Sequence, residues 1–206
     1  MTDPDAPRAD GGDPDGDPTI EAVFDAVAAT APEIRAALPG RRVESGTENA
    51  SGESVLAGDL YADELLGDAI TAVDGVGSFV SEERETAVDA GGAVGDGAYA
   101  VAIDPLDGSS NLRSNNAMGT VVGVYDAPMP ASGRDLVAAG YVLYGPITTM
   151  VVADAAGVRE EVVTREGDGD VERSVVEADL SLPATPTVYG FGGRVPDWPS
   201  DFRAYA

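Results

Sequence analysis

The chain of 206 residues contains no cysteine, no histidine and no lysine. The first absence excludes disulfides, thiolate nucleophiles and sulfur-ligated metals. The second excludes Ser-His triads, His-ligated zinc and an imidazole general base. The third leaves twelve arginines as the only side-chain cations, against 37 acids, for a net charge of −25. A surface of that sign repels nucleic acid and anionic membranes. The acids are spread along the chain rather than gathered in one tail, which suits a solvated surface at high salt, where charge repulsion is screened. No apolar run reaches the length of a membrane span, and the N-terminus is acidic rather than basic. These features read as a soluble, cytoplasmic, halophilic protein with no membrane or nucleic-acid partner. Hydrophobic residues make up 43% of the chain, enough to bury a core. Any catalysis must run on carboxylates, hydroxyls, Arg, Tyr, backbone amides and bound metal.

Residues 1–18 are Asp, Gly and Pro with almost nothing apolar, the composition of a disordered acidic tail. Thr19 is a plausible N-cap, and Ile20, Val23, Phe24, Val27, Ile34 and Leu38 give a helical stripe ended by Pro39-Gly40. Residues 41–52 read as a polar connector. A second helix is expected over 55–73, with Leu56, Leu60, Leu65, Ile70 and Val73 as its apolar face. Strands are expected over 76–80, 99–103, 118–125, 137–144, 148–153 and 158–164, and Gly167-Asp-Gly-Asp170 reads as a solvated turn. Two helices followed by a run of strands predict an α+β fold, helices packed on a mostly antiparallel sheet.

The chemistry concentrates in Ala100-Val-Ala-Ile-Asp104-Pro-Leu-Asp107-Gly-Ser-Ser-Asn111. An apolar strand delivers two acids three residues apart into a turn, and Pro105 is expected to stop the strand pairing there. Carboxylates this close repel each other unless a cation sits between them. Mg²⁺ suits the all-oxygen donor set, with the Leu106 carbonyl as a further ligand. Gly108 permits close backbone approach to an anion, and Ser109 and Ser110 can donate to phosphate. Asp-Pro-x-Asp-Gly alone is more often an ordinary β-turn. A second acidic pair, Glu82-Glu83, also ends a short apolar strand and strengthens the metal reading. On the second helix Asp59 and Asp63 share a face and Glu64 is turned further round, a pattern that by itself reads as a solvated face.

These segments resemble class 1 fructose-1,6-bisphosphatases. The resemblance rests on Asp104-Pro-Leu-Asp-Gly-Ser-Ser-Asn111, Gly119-Thr-Val-Val-Gly-Val-Tyr125, Leu136-Val-Ala-Ala-Gly-Tyr-Val-Leu-Tyr-Gly145, Phe79-Val-Ser-Glu-Glu83 and Asp59-Leu-Tyr-Ala-Asp-Glu64, in order over roughly residues 20 to 190. It implies a layered α/β sugar-phosphatase fold and Mg²⁺-dependent hydrolysis of the 1-phosphate of fructose 1,6-bisphosphate, a gluconeogenic step. By resemblance Glu82, Asp104, Asp107 and the Leu106 carbonyl are metal ligands, and Asp107, Gly108, Ser109 and Ser110 hold the 1-phosphate. Glu83 and Glu64 position and deprotonate the attacking water, with Asp59 in support. Two or three Mg²⁺ ions about 4 Å apart, or Mn²⁺ in their place, bridge water, phosphate and leaving oxygen in such sites.

The resemblance also implies a domain over 19–184, with 185–206 opening a second domain that is largely missing. Gly192-Gly193-Arg194 stands where the family usually has Asn-Glu-Gly. The 206 residues are therefore expected to be part of a longer enzyme, a homodimer or homotetramer by resemblance. Weak metal binding and poor turnover are expected of them alone. The competing readings are a sedoheptulose-bisphosphatase or inositol-phosphatase-like enzyme, and an inactive cation-binding module.

Overall fold

The computed structural model describes residues 16–48, 54–167, 169–185 and 198–205. The expected tail over 1–15, the connector segment 49–53 and the Gly192-Gly193-Arg194 segment lie outside the described residues. Helix α1 spans Pro18–Ala37 and continues into a 3₁₀ turn at Leu38–Gly40. Its cap is Asp17 rather than Thr19: the Asp17 carboxylate accepts from the amides of Thr19 (2.8 Å) and Ile20 (3.3 Å), with Pro18 at the first helical position. The same carboxylate accepts from the Tyr99 hydroxyl at 2.8 Å, pinning the helix start to the sheet.

The connector contains structure that its polar composition hid. Strand β1, Glu44–Glu48, pairs antiparallel with β2, Ser54–Leu56, in a separate two-stranded sheet. Helix α2 consequently starts later than expected and spans Ala57–Thr71. Its buried face is also rotated from the expected one. Gly58, Asp59, Ala62, Asp63, Leu66, Gly67 and Ile70 are buried, while Leu60 is exposed and Leu65 half-buried. Two acids on the core side displace the apolar stripe that leucine spacing suggests.

The main sheet has eight strands: β3 Val76–Ser81, β4 Val88–Asp89, β5 Tyr99–Asp107, β6 Gly119–Tyr125, β7 Leu136–Tyr144, β8 Thr148–Asp154, β9 Gly157–Arg165 and β10 Val171–Glu177. Their order is β10-β9-β8-β7-β6-β5-β3-β4, and every pair is antiparallel except β3 with β5. The architecture is thus α+β, as the order of helices and strands suggests. The segment around Gly167 joins β9 to β10, a strand the sequence reading did not anticipate. A short helix α3, Ser200–Tyr205, lies beyond.

Helix α1 crosses β7 to β10, and α2 covers β3 and β5. Both lie on one side of the sheet. The core between them and the strands includes Val23, Phe24, Val27, Leu66, Ile70, Phe79, Val101, Val122, Val124, Val142 and Met150, all almost fully buried. At the distant edge a buried ion network replaces apolar packing. Arg159 pairs with Glu21, with Asp154 (2.6 Å) and with Glu161 (2.8 Å). Arg173 pairs with Glu21 (3.3 Å), Asp25 (2.6 Å) and Glu161 (2.6 Å). The opposite side of the sheet carries no helix among the described residues and leaves Val121, Tyr141 and Leu143 exposed.

Candidate active site

Strands β3 and β5 are parallel, so both end at the same edge of the sheet. That placement brings two acidic segments together that are twenty residues apart in sequence. Pro105 does not end β5. The strand runs on to Asp107, and its pairing with β6 slips between Asp104↔Val121 and Asp107↔Gly119, three steps against two. A proline lacks the N–H for a ladder bond, and a bulge accommodates it. The bulge is fixed from beneath by buried Thr120, whose hydroxyl donates to the Pro105 carbonyl (2.9 Å) and accepts from the Tyr144 hydroxyl (2.8 Å).

The Asp104 side chain accepts from the Leu106 amide at 3.1 Å and hydrogen-bonds the Glu82 side chain. Burial, then the Glu82 charge, push the Asp104 carboxyl well above the ordinary carboxylate range. Two carboxylates in hydrogen-bond contact must share a proton or a cation. Asp59 is the third residue of α2 and nearly fully buried. Its carboxylate reaches back to accept from the Leu56 amide at 2.6 Å, half of a capping box. It also hydrogen-bonds the Ser109 side chain and feels the Glu82 charge, and burial leaves its pKa raised. Asp59 therefore links the helix to the turn after β5 and lies near enough to Glu82 to feel its charge.

In that turn Gly108 has φ +75°, a conformation that favours glycine, and Ser109–Arg113 form a 3₁₀ helix. The amides of Ser109 and Ser110 thus stand at first-turn positions, which have no partner within a helix. The loop is closed by Asn111, whose amide donates to the Gly108 carbonyl (2.7 Å) and whose side chain donates to the Ala117 carbonyl (2.8 Å). Asn111, the last residue of the motif, thus shapes the turn. A cavity of about 310 Å³ opens beside Asp107, Gly108 and Asn111, with Tyr141 and Leu143 on its far wall.

Of the acids singled out in the sequence, Glu82, Glu83, Asp104, Asp107 and Asp59 lie on elements that meet at this edge. Glu64 does not join them. It is exposed and interacts with Tyr61 on the outer surface of α2. It follows Asp59 by five residues, a rotation of about 140° at 3.6 residues per turn, which carries it off the site-facing side. Asp63, one turn after Asp59, is buried rather than solvated and pairs with Arg84 at 2.8 Å. The residue type immediately after Glu82-Glu83 was the available signal for that pair. Glu82 and Asp104 form a hard oxygen donor pair with Asp107 and the bulge carbonyls beside it, a chemistry that fits a divalent cation. Among the described residues no three acidic side chains close on a single point.

The fold and these contacts define an α+β protein with a carboxylate cluster at paired strand ends, flanked by a Gly-Ser turn. Residues 20–168 match the model for the fructose-1,6-bisphosphatase N-terminal domain. Curated class 1 fructose-1,6-bisphosphatases of Halobacterium salinarum and Natronomonas pharaonis are 55% and 54% identical over 186 residues, 90% of this chain. The chain spans 62% and 63% of their lengths. The crystal structure of Leishmania major fructose-1,6-bisphosphatase in its holo form superposes with TM-score 0.75 at 22% identity, over 91% of this chain and 63% of that one. The chain belongs to the fructose-1,6-bisphosphatase family.

Proposed function

We propose that this chain carries the metal- and 1-phosphate-binding portion of a class 1 fructose-1,6-bisphosphatase, a phosphoric monoester hydrolase acting on fructose 1,6-bisphosphate. The observation that carries the reading is the contact of Glu82 with Asp104 at the ends of β3 and β5, beside the Asp59–Ser109 hydrogen bond in the turn that follows, in a chain 55% identical to a curated enzyme of that name. Glu82, Asp104, Asp107 and the Leu106 carbonyl would hold Mg²⁺, or Mn²⁺ in its place. Such ions supply neutralisation of phosphate charge and a water of lowered pKa. The amides and hydroxyls of Ser109 and Ser110, with the open backbone at Gly108, would bind the 1-phosphate. Glu83 and Asp59 would orient the attacking water and accept its proton; Glu64, on the outer helix surface, has no part in this reading.

Residues 19–184 form the domain in question, and 185–206 open the further chain that the matched relatives carry. Homo-oligomeric assembly and a place in a high-salt cytoplasm belong to the same reading. The net charge of −25 and the haloarchaeal relatives support it. Among the described residues no helix is long and apolar enough to cross a membrane.

The test is calorimetric titration of the chain with Mg²⁺, beside phosphate release from fructose 1,6-bisphosphate with Mg²⁺ or with EDTA. Weak but saturable Mg²⁺ uptake that Asp107→Asn abolishes, together with slow EDTA-sensitive release, is expected. Uptake unaffected by Asp107→Asn, or faster release from sedoheptulose 1,7-bisphosphate or inositol phosphate, would overturn it.

A further inference from the structure

Asp63 and Arg84 take no part in the chemistry above, yet they are built into the frame of the site. Asp63 is 7% exposed and lies one turn after Asp59 on the same face of α2. Arg84 directly follows Glu82-Glu83. The turn that displays those glutamates is closed by the Arg84 amide donating to the Ser81 carbonyl (3.2 Å), and the Glu82 amide donates to the Ile103 carbonyl (3.1 Å). Those bonds tie the turn to β3 and β5. The Arg84 side chain adds a tie to α2: Nε donates to Asp63 Oδ2 at 2.8 Å and Nη2 to the Asp63 carbonyl at 3.3 Å. The guanidinium carbon lies 5.2 Å from the centre of the Phe79 ring. It passes over Gly67, where a Cβ would stand 2.6 Å from Nη2. Helix α2 thus has a glycine where a side chain would displace the arginine.

Stability alone gives a poor account of this pair. Asp63 Oδ1 is buried with no hydrogen-bond partner. The Asp63 side chain is 10% exposed and that of Arg84 30%, so the pair is desolvated mainly on the acid side. An ion pair taken out of water gains little over apolar residues of the same volume, and its best-attested use is to fix register. Here the register is that of the Glu82-Glu83 turn against the helix bearing Asp59. We propose that Asp63 and Arg84 form a positioning strut, which holds that turn within reach of Asp59 and Asp104 and so sets the affinity of the carboxylate cluster for a divalent cation. The proposal rests on the cation reading above. Residues that orient metal ligands typically change affinity 10–100-fold when replaced.

The experiment titrates the 206-residue chain with Mn²⁺ and reads free Mn²⁺ by electron paramagnetic resonance, with thermal melts as the folding control. The variants are Arg84→Met, which keeps an unbranched stem without the charge, near-isosteric Asp63→Asn, their double variant, and Gly67→Ala. Each single charge variant is expected to weaken binding about tenfold or more. The double variant should be no worse than either single one, because both remove one interaction. Gly67→Ala should weaken binding without lowering the melting temperature, since alanine is the better helix former and the arginine tip can swing aside. Folded Arg84→Met and Asp63→Asn chains that bind Mn²⁺ as the wild type does would overturn the strut, as would losses that add in the double variant. If the wild type takes up no Mn²⁺, or Asp107→Asn binds unchanged, the cation reading itself falls and the strut with it.

Discussion

Thr120 shows how one hydroxyl can decide the shape of a site. It is fully buried, and its single proton goes to the Pro105 carbonyl at the bulge while the Tyr144 hydroxyl donates to it. Burial pushes the Tyr144 phenol far up, so it remains a neutral donor. Thr120→Val keeps the volume but leaves a buried carbonyl and a buried phenol unpaired. We expect a loss of about 1–3 kcal/mol in urea unfolding, together with weaker cation binding because Asp104 and Asp107 flank the freed carbonyl. Tyr144→Phe should cost less, since the threonine keeps its bond to Pro105. Equal stability of Thr120→Val and wild type would refute this account of the bulge.

Helix α1 is held to the sheet in two ways. Over β7 the contact is steric: Phe24 lies against Gly140, where a Cβ would stand 2.7 Å from the ring. The same Cβ would stand 2.7 Å from the Val151 carbonyl of β8, so Gly140→Ala should strain both helix and strand at a cost of about 1–3 kcal/mol, readable as a lower unfolding midpoint; an unchanged midpoint would show that both can give way freely. At β9 and β10 the contact is ionic, centred on Glu161, only 2% exposed. Burial raises its pKa, but hydrogen bonds from Arg173 and Arg159 outweigh that and hold it below the usual 4.5. Because the folded pKa is depressed, its contribution is fully present above about pH 4.5 and is lost as pH falls through the folded value. Glu161→Gln removes the buried centre of the network while Arg159 keeps Asp154 and Glu21 and Arg173 keeps Asp25 and Glu21, so it should cost about 1.5–3 kcal/mol at pH 7. That difference from wild type should shrink below pH 4.5, so an equal deficit at pH 7 and pH 3 would contradict it.

The whole molecule carries 37 acids against twelve arginines. Much of its cation supply is committed to fixed partners: Arg84 to Asp63, Arg159 and Arg173 to the α1 network, and Arg41 to the face of Tyr61 at 3.6 Å. The remaining repulsion falls to salt. The Debye length shortens from about 10 Å at 0.1 M to about 3 Å at 1 M, so exposed acids cease to repel while the buried networks are much less affected. The melting temperature should therefore rise steadily with KCl from 0.1 M upward, and Glu161→Gln should lower it at both salt extremes. A melting temperature that falls with added KCl would show that attractive surface pairs outweigh the excess negative charge.

The sequence by itself determined the elements whose signals are local. Period-3.6 apolar spacing marked α1, apolar and β-branched runs marked β3 and the strands from β5 to β9 but not the two-residue β4, and Asp104 to Asn111 marked the turn and its chemistry. The missing histidine, cysteine and lysine confined any site to oxygen donors and arginine before any fold was known. Only the tertiary structure decided what depends on distant partners. It paired β1 with β2, turned the acidic face of α2 inward, and carried β5 through Pro105 on a bulge anchored by Thr120. It also separated the acids: Asp59 meets Ser109 and Glu82, Asp63 meets Arg84, and Glu64 faces water. A carboxylate has the same composition in all three places; which neighbours a helix rotation gives it decides its role.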